Sequence, residues 1–267
     1  MIPDAKYYTP GDDISWLVKQ FESIRYNSRW RLTDKFVPRE DAALVFHFGD
    51  RPRMMSPVNQ QLPRFFIAPL VPTAYSIMLK GLTDSLIAIC KPTILSRILK
   101  ISMIPGSKVY IPLSGTAFSR AWEMMNKYDD PEGRIKAFTK FILKLHPQVY
   151  TPDETDEMYE KILGSNFHTP LREVIGEFKV SERTVQRRFR ERLGITPKML
   201  SRIVKINTLW NSISTKETID YHDIVFFGNY FDQAHFIKDF KAITGETPDF
   251  FFRRNLSVTK IMSGRGN

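Results

Sequence analysis

Residues 181–197, SERTVQRRFRERLGITP, and residues 232–248, DQAHFIKDFKAITGETP, superimpose without a gap when the chain is slid against itself by 51 positions. Phe189 meets Phe240, Gly194 meets Gly245, Thr196 meets Thr247 and Pro197 meets Pro248, while Arg187 and Arg190 meet Lys238 and Lys241. Each coincidence has a mechanical reading. Ser181 and Asp232 carry short side-chain oxygens suited to the orphan amides of a helix's first turn. Val185/Phe189 and Phe236/Phe240 are i,i+4 pairs that face a core. Gly194 and Gly245 stop a helix in the left-handed conformation that glycine tolerates. The chain is thus required to build one capped, equally long helix twice.

Each copy follows a shorter apolar segment, LREVIGEF at 171–178 and HDIVFFG at 222–228. Short helix, tight turn and capped second helix make a helix-turn-helix, written twice. Between the copies, Leu200, Ile203, Ile206, Trp210 and Ile213 fall on one stripe, so one long helix joins the two units. On VSERTVQRRFRERLGITP and YFDQAHFIKDFKAITGETP, residues 170–254 resemble the DNA-binding domain of the AraC-type (arabinose-regulator) transcription factors. The resemblance implies seven helices, two helix-turn-helix units, and two recognition helices docked in successive major-groove turns. The chain departs from the family where Ile175 and Val225 replace a small alanine, and where Asn229 stands at the second turn in place of glycine.

Charge is concentrated in the same region. Between Lys179 and Lys205 stand nine Lys/Arg against two Glu, within a chain of net charge +10. Such a stripe suits a phosphate backbone. With Val185 and Phe189 buried, the opposite face of the first recognition helix carries Glu182, Arg183, Gln186, Arg187 and Arg190. Arginine can grip guanine and glutamine can grip adenine through paired hydrogen bonds, so this face has the chemistry of base readout. In the second unit, burial of Phe236 and Phe240 leaves Gln233, Ala234, His235, Ile237 and Lys238 towards the groove. Arg188, Arg192 and Lys198 are placed over phosphates or in solvent.

The front of the chain has a different grammar. Fourteen of the 17 prolines lie at or before Pro152. Short β-branched and aromatic runs (43–48, 64–69, 75–79, 85–90 and 108–113) are bounded by Pro, Gly or Asp, as short strands are. Helical periods begin after Gly115, with Asp130-Pro131 as a helix start and TPDE at 151–154 as a capping box. The stretch ICKPTILSRILKI, a Pro-Gly turn and LSGTAF resemble, loosely, N-terminal domains with a degenerate cupin-like barrel that accompany AraC-type DNA-binding domains. The expected class is therefore α+β in two domains: a β-rich, cupin-like barrel in front and an all-α double helix-turn-helix behind. Boundaries are set at 1–150 for a sensor or dimerisation domain with trailing helices, 151–169 for a linker helix and loop, 170–254 for the DNA-binding domain, and 255–267 for a flexible tail.

Other function classes lack their residues. A cupin metal enzyme needs clustered ligands, and His47 stands alone in its FHF run, where a packed histidine is the plainer reading. An alkyl-transfer repair regulator needs a zinc-thiolate site, and Cys90 is the one cysteine, in an apolar run that suits an inert thiol. No catalytic residue, metal site or cofactor is expected. A purely architectural DNA-binding protein needs only lysines, whereas the first helix mixes Arg and Gln. The expected partners are promoter double-stranded DNA and RNA polymerase, with a small-molecule effector or a second protomer for the front domain and no membrane. Activation is implied by the resemblance. The start of the sequence has no basic region followed by an apolar run, and no stretch is long enough to span a bilayer, so a cytoplasmic, nucleoid-associated protein is expected.

Overall fold

The computed structural model describes residues 2–105, 109–146, 148–165, 169–213 and 221–265. The front region is one antiparallel sheet. Its strands are β1 (Asp4–Tyr8), β2 (Val18–Phe36), β3 (Ala42–His47), β4 (Arg53–Met54), β5 (Gln60–Gln61), β6 (Phe65–Ala68), β7 (Tyr75–Cys90) and β8 (Ile111–Pro112). The order runs β1-β2-β7-β3-β6-β8, with β4 pairing both β5 and β7. The sheet ends on β1 and β8, which do not meet, so the cupin-like barrel of the sequence reading is corrected to an open sheet. The runs at 75–79 and 85–90, expected as two strands, are one: Gly81, at φ 78°, lets β7 carry on between them. β7 pairs β2 from Cys90↔Val18 to Tyr75↔Phe36, with an irregularity between Ser28 and Leu32.

Side-chain alternation gives the sheet two faces. Phe21, Leu44, Phe46, Ile67, Leu86 and Ala88 join the main core, against the helices that follow. There Phe138 meets Phe21 and Phe46 edge-on, at 5.5 and 5.9 Å between ring centroids. The other face carries a smaller cluster of Ala43, Val45, Phe66, Ile89, Tyr75 and Tyr110. Burial on both faces explains why SLIAIC reads as an unbroken apolar run instead of an alternating one.

The first helices are α1 (Pro92–Leu99), α2 (Thr116–Met125), α3 (Pro131–Leu145) and α4 (Glu154–Gly164). Asp130 caps α3 as expected, accepting from Gly133 N at 2.6 Å. The α4 cap is shifted from the sequence reading: the capping box is Asp153 with Asp156, not Thr151 with Glu154, because two aspartates reach the first-turn amides. Then come α5 (Leu171–Gly176), α6 (Glu182–Leu193), α7 (Pro197–Ile213), α8 (Tyr221–Phe227), α9 (Gln233–Thr244), α10 (Pro248–Arg253) and α11 (Ser257–Met262). Leu200, Ile203, Ile206, Trp210 and Ile213 are all buried, so α7 is the core rod of the helical half. Six helices, α5 to α10, are described within 170–254 where seven were expected. Residues 166–168 of the expected linker and the Pro-Gly turn at 105–106, in its Gly106, lie outside the described residues.

The segment after 254, expected to be a flexible tail, instead folds back onto the sheet. α11 packs on β2, and Ser263 Oγ accepts from Val37 N at 2.9 Å. Arg265 donates to Pro38 O at 3.1 Å and lies 4.4 Å from the Trp210 ring centroid. The interface buries Ser263, and this enclosure is a tertiary effect that the composition of 255–267 gives no hint of.

The two stop glycines sit against different neighbours. Gly194 and Gly245 have φ of 81° and 78°. A Cβ on Gly194 would stand 2.5 Å from the Met103 carbonyl oxygen, whereas one on Gly245 would stand 3.2 Å from the flexible end of Lys35. Gly245→Ala is expected to cost about 1–2 kcal/mol, the price of the left-handed backbone. Gly194→Ala is expected to cost more, since Met103 is held by its amide donating to Glu191 O at 2.8 Å and cannot step aside. Urea titration of the two variants checks the order; equal losses would overturn it.

Candidate nucleic-acid interface

The first unit is α5, a turn, and α6. Ser181 Oγ accepts from Thr184 N, and Gly194 N donates back to Arg190 O at 3.0 Å, so both ends of α6 are closed as the sequence requires. The second unit is α8, a turn, and α9. Asp232 Oδ1 accepts from His235 N at 2.7 Å, and Gly245 N donates to Lys241 O at 2.9 Å. The turn before α9 is closed by Asn229 at φ 47°, with Tyr230 N donating to Val225 O at 3.0 Å and Asn229 N to Phe226 O at 3.2 Å. That is a Schellman closure in which asparagine takes the left-handed position, the departure that the sequence showed at this turn. The copies differ in one detail: Thr196 Oγ1 accepts from Met199 N at 3.2 Å to start α7, while Thr247 makes no side-chain cap at α10.

Core and surface divide α6 and α9 cleanly. Val185 and Phe189 are buried on α6, and Phe236 and Phe240 on α9. Glu182, Arg183, Gln186, Arg187 and Arg190 are all exposed on α6. Gln186 Nε2 donates to Glu182 Oε1 at 3.3 Å, and Arg187 lies 3.8 Å from Glu191. On α9, Gln233, Ala234, His235 and Lys238 are exposed, and Ile237 is half-buried against the core. The exposed His235 ring meets Tyr230 edge-on at 5.2 Å, so it is a surface group and not a packing one.

The basic stripe separates into two sets, which its sequence spacing did not reveal. Arg188, expected over phosphate or in solvent, pairs with Glu154 at 2.8 Å. Arg192, with the same expectation, is turned inward: it holds Asp153 and Asp156 at 2.6 Å each and donates to Thr93 O at 2.7 Å. Burial alone would raise the Asp153 carboxyl, but hydrogen bonding and charge from Arg192, then Arg97, outweigh it and hold the group below the usual carboxylate range. Arg202 Nε donates to Asp239 at 2.7 Å, bracing α7 against α9, and Tyr230 OH donates to the same carboxylate at 3.0 Å. Lys205 lies 3.7 Å from the Tyr230 ring centroid, and burial lowers its pKa. Lys179, Arg183, Arg187, Arg190 and Lys198 remain exposed.

Connections of the front region hold α6 and α9 at their C-terminal ends. Met103 N reaches Glu191 O of α6, while Ala74 N reaches Ile243 O of α9 at 2.7 Å. Lys35 Nζ donates to Thr244 O at 3.0 Å and pairs with Glu246 at 2.7 Å, and Arg254 pairs with Asp34 at 2.7 Å. The front domain therefore grips each unit at the end opposite its cap, and of the candidate base contacts only Arg190, in the last turn of α6, lies near that end.

Residues 175–254 match the family model described as a helix-turn-helix domain. This part of the chain is an AraC-type helix-turn-helix domain. That domain type belongs to DNA-binding transcriptional regulators. Among curated proteins no relative matches. Among solved structures, the chain is similar to ToxT from Vibrio cholerae O395, with 11% identity, a TM-score of 0.45, and coverage of 88% of this chain and 96% of that one. It is likewise similar to ToxT bound to (E)-4-(8-methylnaphthalen-1-yl)but-3-enoic acid, with 11% identity, a TM-score of 0.47, and coverage of 95% and 99%. A further match is the AraC-like transcriptional activator CuxR, with 9% identity, a TM-score of 0.29, and coverage of 86% and 91%. No helix among the described residues is long and apolar enough to cross a membrane. Among those residues, no three His, Cys, Asp or Glu side chains gather as a metal site would need. Cys90 is buried, its Sγ donates to Ala88 O at 3.3 Å, and burial pushes its thiol up.

Proposed function

We propose that the chain is a sequence-specific transcriptional regulator that reads two adjacent major-groove subsites, with α6 and α9 as its recognition helices. The observation that carries this reading is the pair of matched frames: two helices of 12 residues, capped and stopped alike, each anchored by an i,i+4 apolar pair and each presenting a polar outer face. Glu182, Arg183, Gln186, Arg187 and Arg190 are the contacts of the first subsite. Gln233, Ala234, His235, Ile237 and Lys238 are those of the second, with Ile237 reaching DNA by its exposed edge. Residues 170–254 act as the DNA-binding unit, and residues 1–150 regulate it without catalysis, through an effector or a second protomer. The setting is the cytoplasm, on the nucleoid, and the outcome at the promoter is activation through contact with RNA polymerase. The mixed Arg/Gln face favours this over binding without sequence preference.

Arg187→Ala is expected to lose about 1–3 kcal/mol at a specific site and to relax preference at one base position. A quantitative gel-shift series on specific and random DNA at matched salt checks it. Equal loss on both would make Arg187 a phosphate contact and defeat the assignment. Two units on one rod should also bind one face of the duplex, with subsites about 10–10.5 base pairs apart. Inserting about 5 base pairs between them turns one subsite to the far side of the helix. Full-chain affinity is then expected to fall at least tenfold; an unchanged footprint and affinity would rule out the two-groove arrangement.

A further inference from the structure

On the sheet face turned away from α1–α4 lies a cavity of about 100 Å³. Its walls are mostly apolar, with Ile24, Val45, Phe66, Leu79 and Ile87 among them, and Ile261 and Met262 of α11 line one end, where Glu22 and Arg39 also stand. The other end is also polar. His47 and Ser85 are direct partners across β3 and β7, and Thr83 stands two residues further along β7 on the same face. His47 Nδ1 lies 2.7 Å from Ser85 Oγ, which leaves Nε2 as the imidazole's remaining hydrogen-bonding atom. That Nε2 and the Thr83 Oγ1 are both buried and both lack a protein partner, although each residue lines the cavity. Buried polar atoms are nearly always hydrogen-bonded, so two orphans facing one apolar space point to a group that bonds them.

Charge and size narrow the class. Burial, aided by the charge of Arg51, lowers the His47 pKa to about 3, so the ring is neutral and supplies no cation. Arg39, the guanidinium on the cavity wall, is held by Glu22 at 2.8 Å and approached by Asp41 at 3.9 Å. A carboxylate would therefore meet the carboxylates of Glu22 and Asp41 with no uncommitted positive charge on the wall. A dry apolar cavity of about 150 Å³ admits benzene, so this one is of the order that admits a single small ring.

We propose that this cavity binds a compact, uncharged, single-ring molecule bearing one hydroxyl group, which hydrogen-bonds to His47 Nε2 and Thr83 Oγ1 while the ring fills the apolar space beneath α11. The site rests on the reading of the front domain as the regulatory half of the chain. Because α11 belongs to the helical half and lines the cavity, the occupant touches both halves of the molecule.

The test titrates the full chain with phenol, toluene and benzoate, followed by calorimetry and thermal melting without DNA. Phenol is expected to bind one per chain, at least tenfold more tightly than toluene or benzoate. Thr83→Val, which keeps the side-chain shape, is expected to bring phenol down to the toluene level without lowering the melting temperature. His47→Leu is expected to do the same to binding. Ala43→Leu fills the cavity and is expected to abolish binding of all three probes in a protein that still melts cooperatively. Preference for benzoate, equal binding of phenol and toluene, phenol binding untouched by Thr83→Val, or no saturable binding would each overturn the proposal. Operator affinity, measured separately with and without phenol, keeps the two readings apart. Phenol that binds as expected but leaves DNA affinity unchanged would sink the regulatory reading and leave the site standing.

Discussion

Replacing Phe240 by alanine is expected to cost about 3–5 kcal/mol of folding stability, the usual toll of emptying a fully buried aromatic site. Phe240 is 0% exposed. Its ring centroid lies 5.7 Å from Phe236, 5.4 Å from Phe251 and 5.6 Å from Phe252, and Phe251 in turn stands edge-on to Trp210 at 5.1 Å. The ring is thus the keystone between α9, α10 and the rod α7. Phe236, Phe251 and Trp210 are themselves fully buried, so the gap is filled at most by a shift of the half-buried Phe252. Urea unfolding gives the magnitude, and amide exchange locates it: α9 is expected to lose protection before α6 does. A loss below about 1 kcal/mol would mean that the second unit is anchored elsewhere, through its contacts with Lys35 and Ala74.

Arg192→Met is expected to cost about 3 kcal/mol, towards the low end for removing one partner of a buried ion pair. The arginine ties α6 to the α4 cap and to α1 at once. Methionine fills similar space but leaves Asp156, whose side chain is 5% exposed, without its nearest cation. Two features soften the loss: Arg97 stands 3.6 Å from Asp156, and Asp153 is exposed enough to find water. The neighbouring pair Arg188–Glu154 serves as the control, since both side chains are about a third exposed and Arg188→Met is expected to cost under about 1 kcal/mol. The effect has a pH signature. Asp153 is depressed in the folded state, so its stabilisation is fully present above the ordinary aspartate value of about 3.9 and fades as the pH falls through its lower folded value. The gap between the parent chain and Arg192→Met should therefore be widest near pH 7 and narrower at pH 3. A gap that does not change between the two would show that packing, not charge, carries the effect.

The helical half was legible because its rules are local. A serine or aspartate cap, an apolar pair four residues apart and a glycine stop act within one helix, so the 51-residue repeat carried α6 and α9 with their caps, stops and inner faces. Even the turn at Asn229 was marked, since asparagine is the next residue after glycine to accept a positive φ. The exposed and buried sides of α6 and α9 follow from the 3.6-residue period once Val185, Phe189, Phe236 and Phe240 are known to turn inward.

What escaped the sequence depends on partners far along the chain. Arg188 and Arg192 share their helix and their charge with Arg187 and Arg190, yet the first two point at the acidic cap of α4 while the others meet solvent. Only the packing of α4 against α6 makes that difference. Gly81 read as a break between two strands, but pairing along the whole of β2 carries β7 through it. Whether a sheet closes is decided by how its edge strands lie, and β1 and β8 are kept apart at opposite ends of the order. Residues 257–265, polar and short of strong signals, are fixed by docking on β2, where Ser263 and Arg265 find backbone partners more than 200 positions away. Sequence by itself determined the elements that satisfy their own backbone groups within a few residues. Tertiary structure decided everything whose hydrogen bonds and counter-charges are supplied by a distant strand or helix, because the identity of that supplier is written nowhere near the residue it serves.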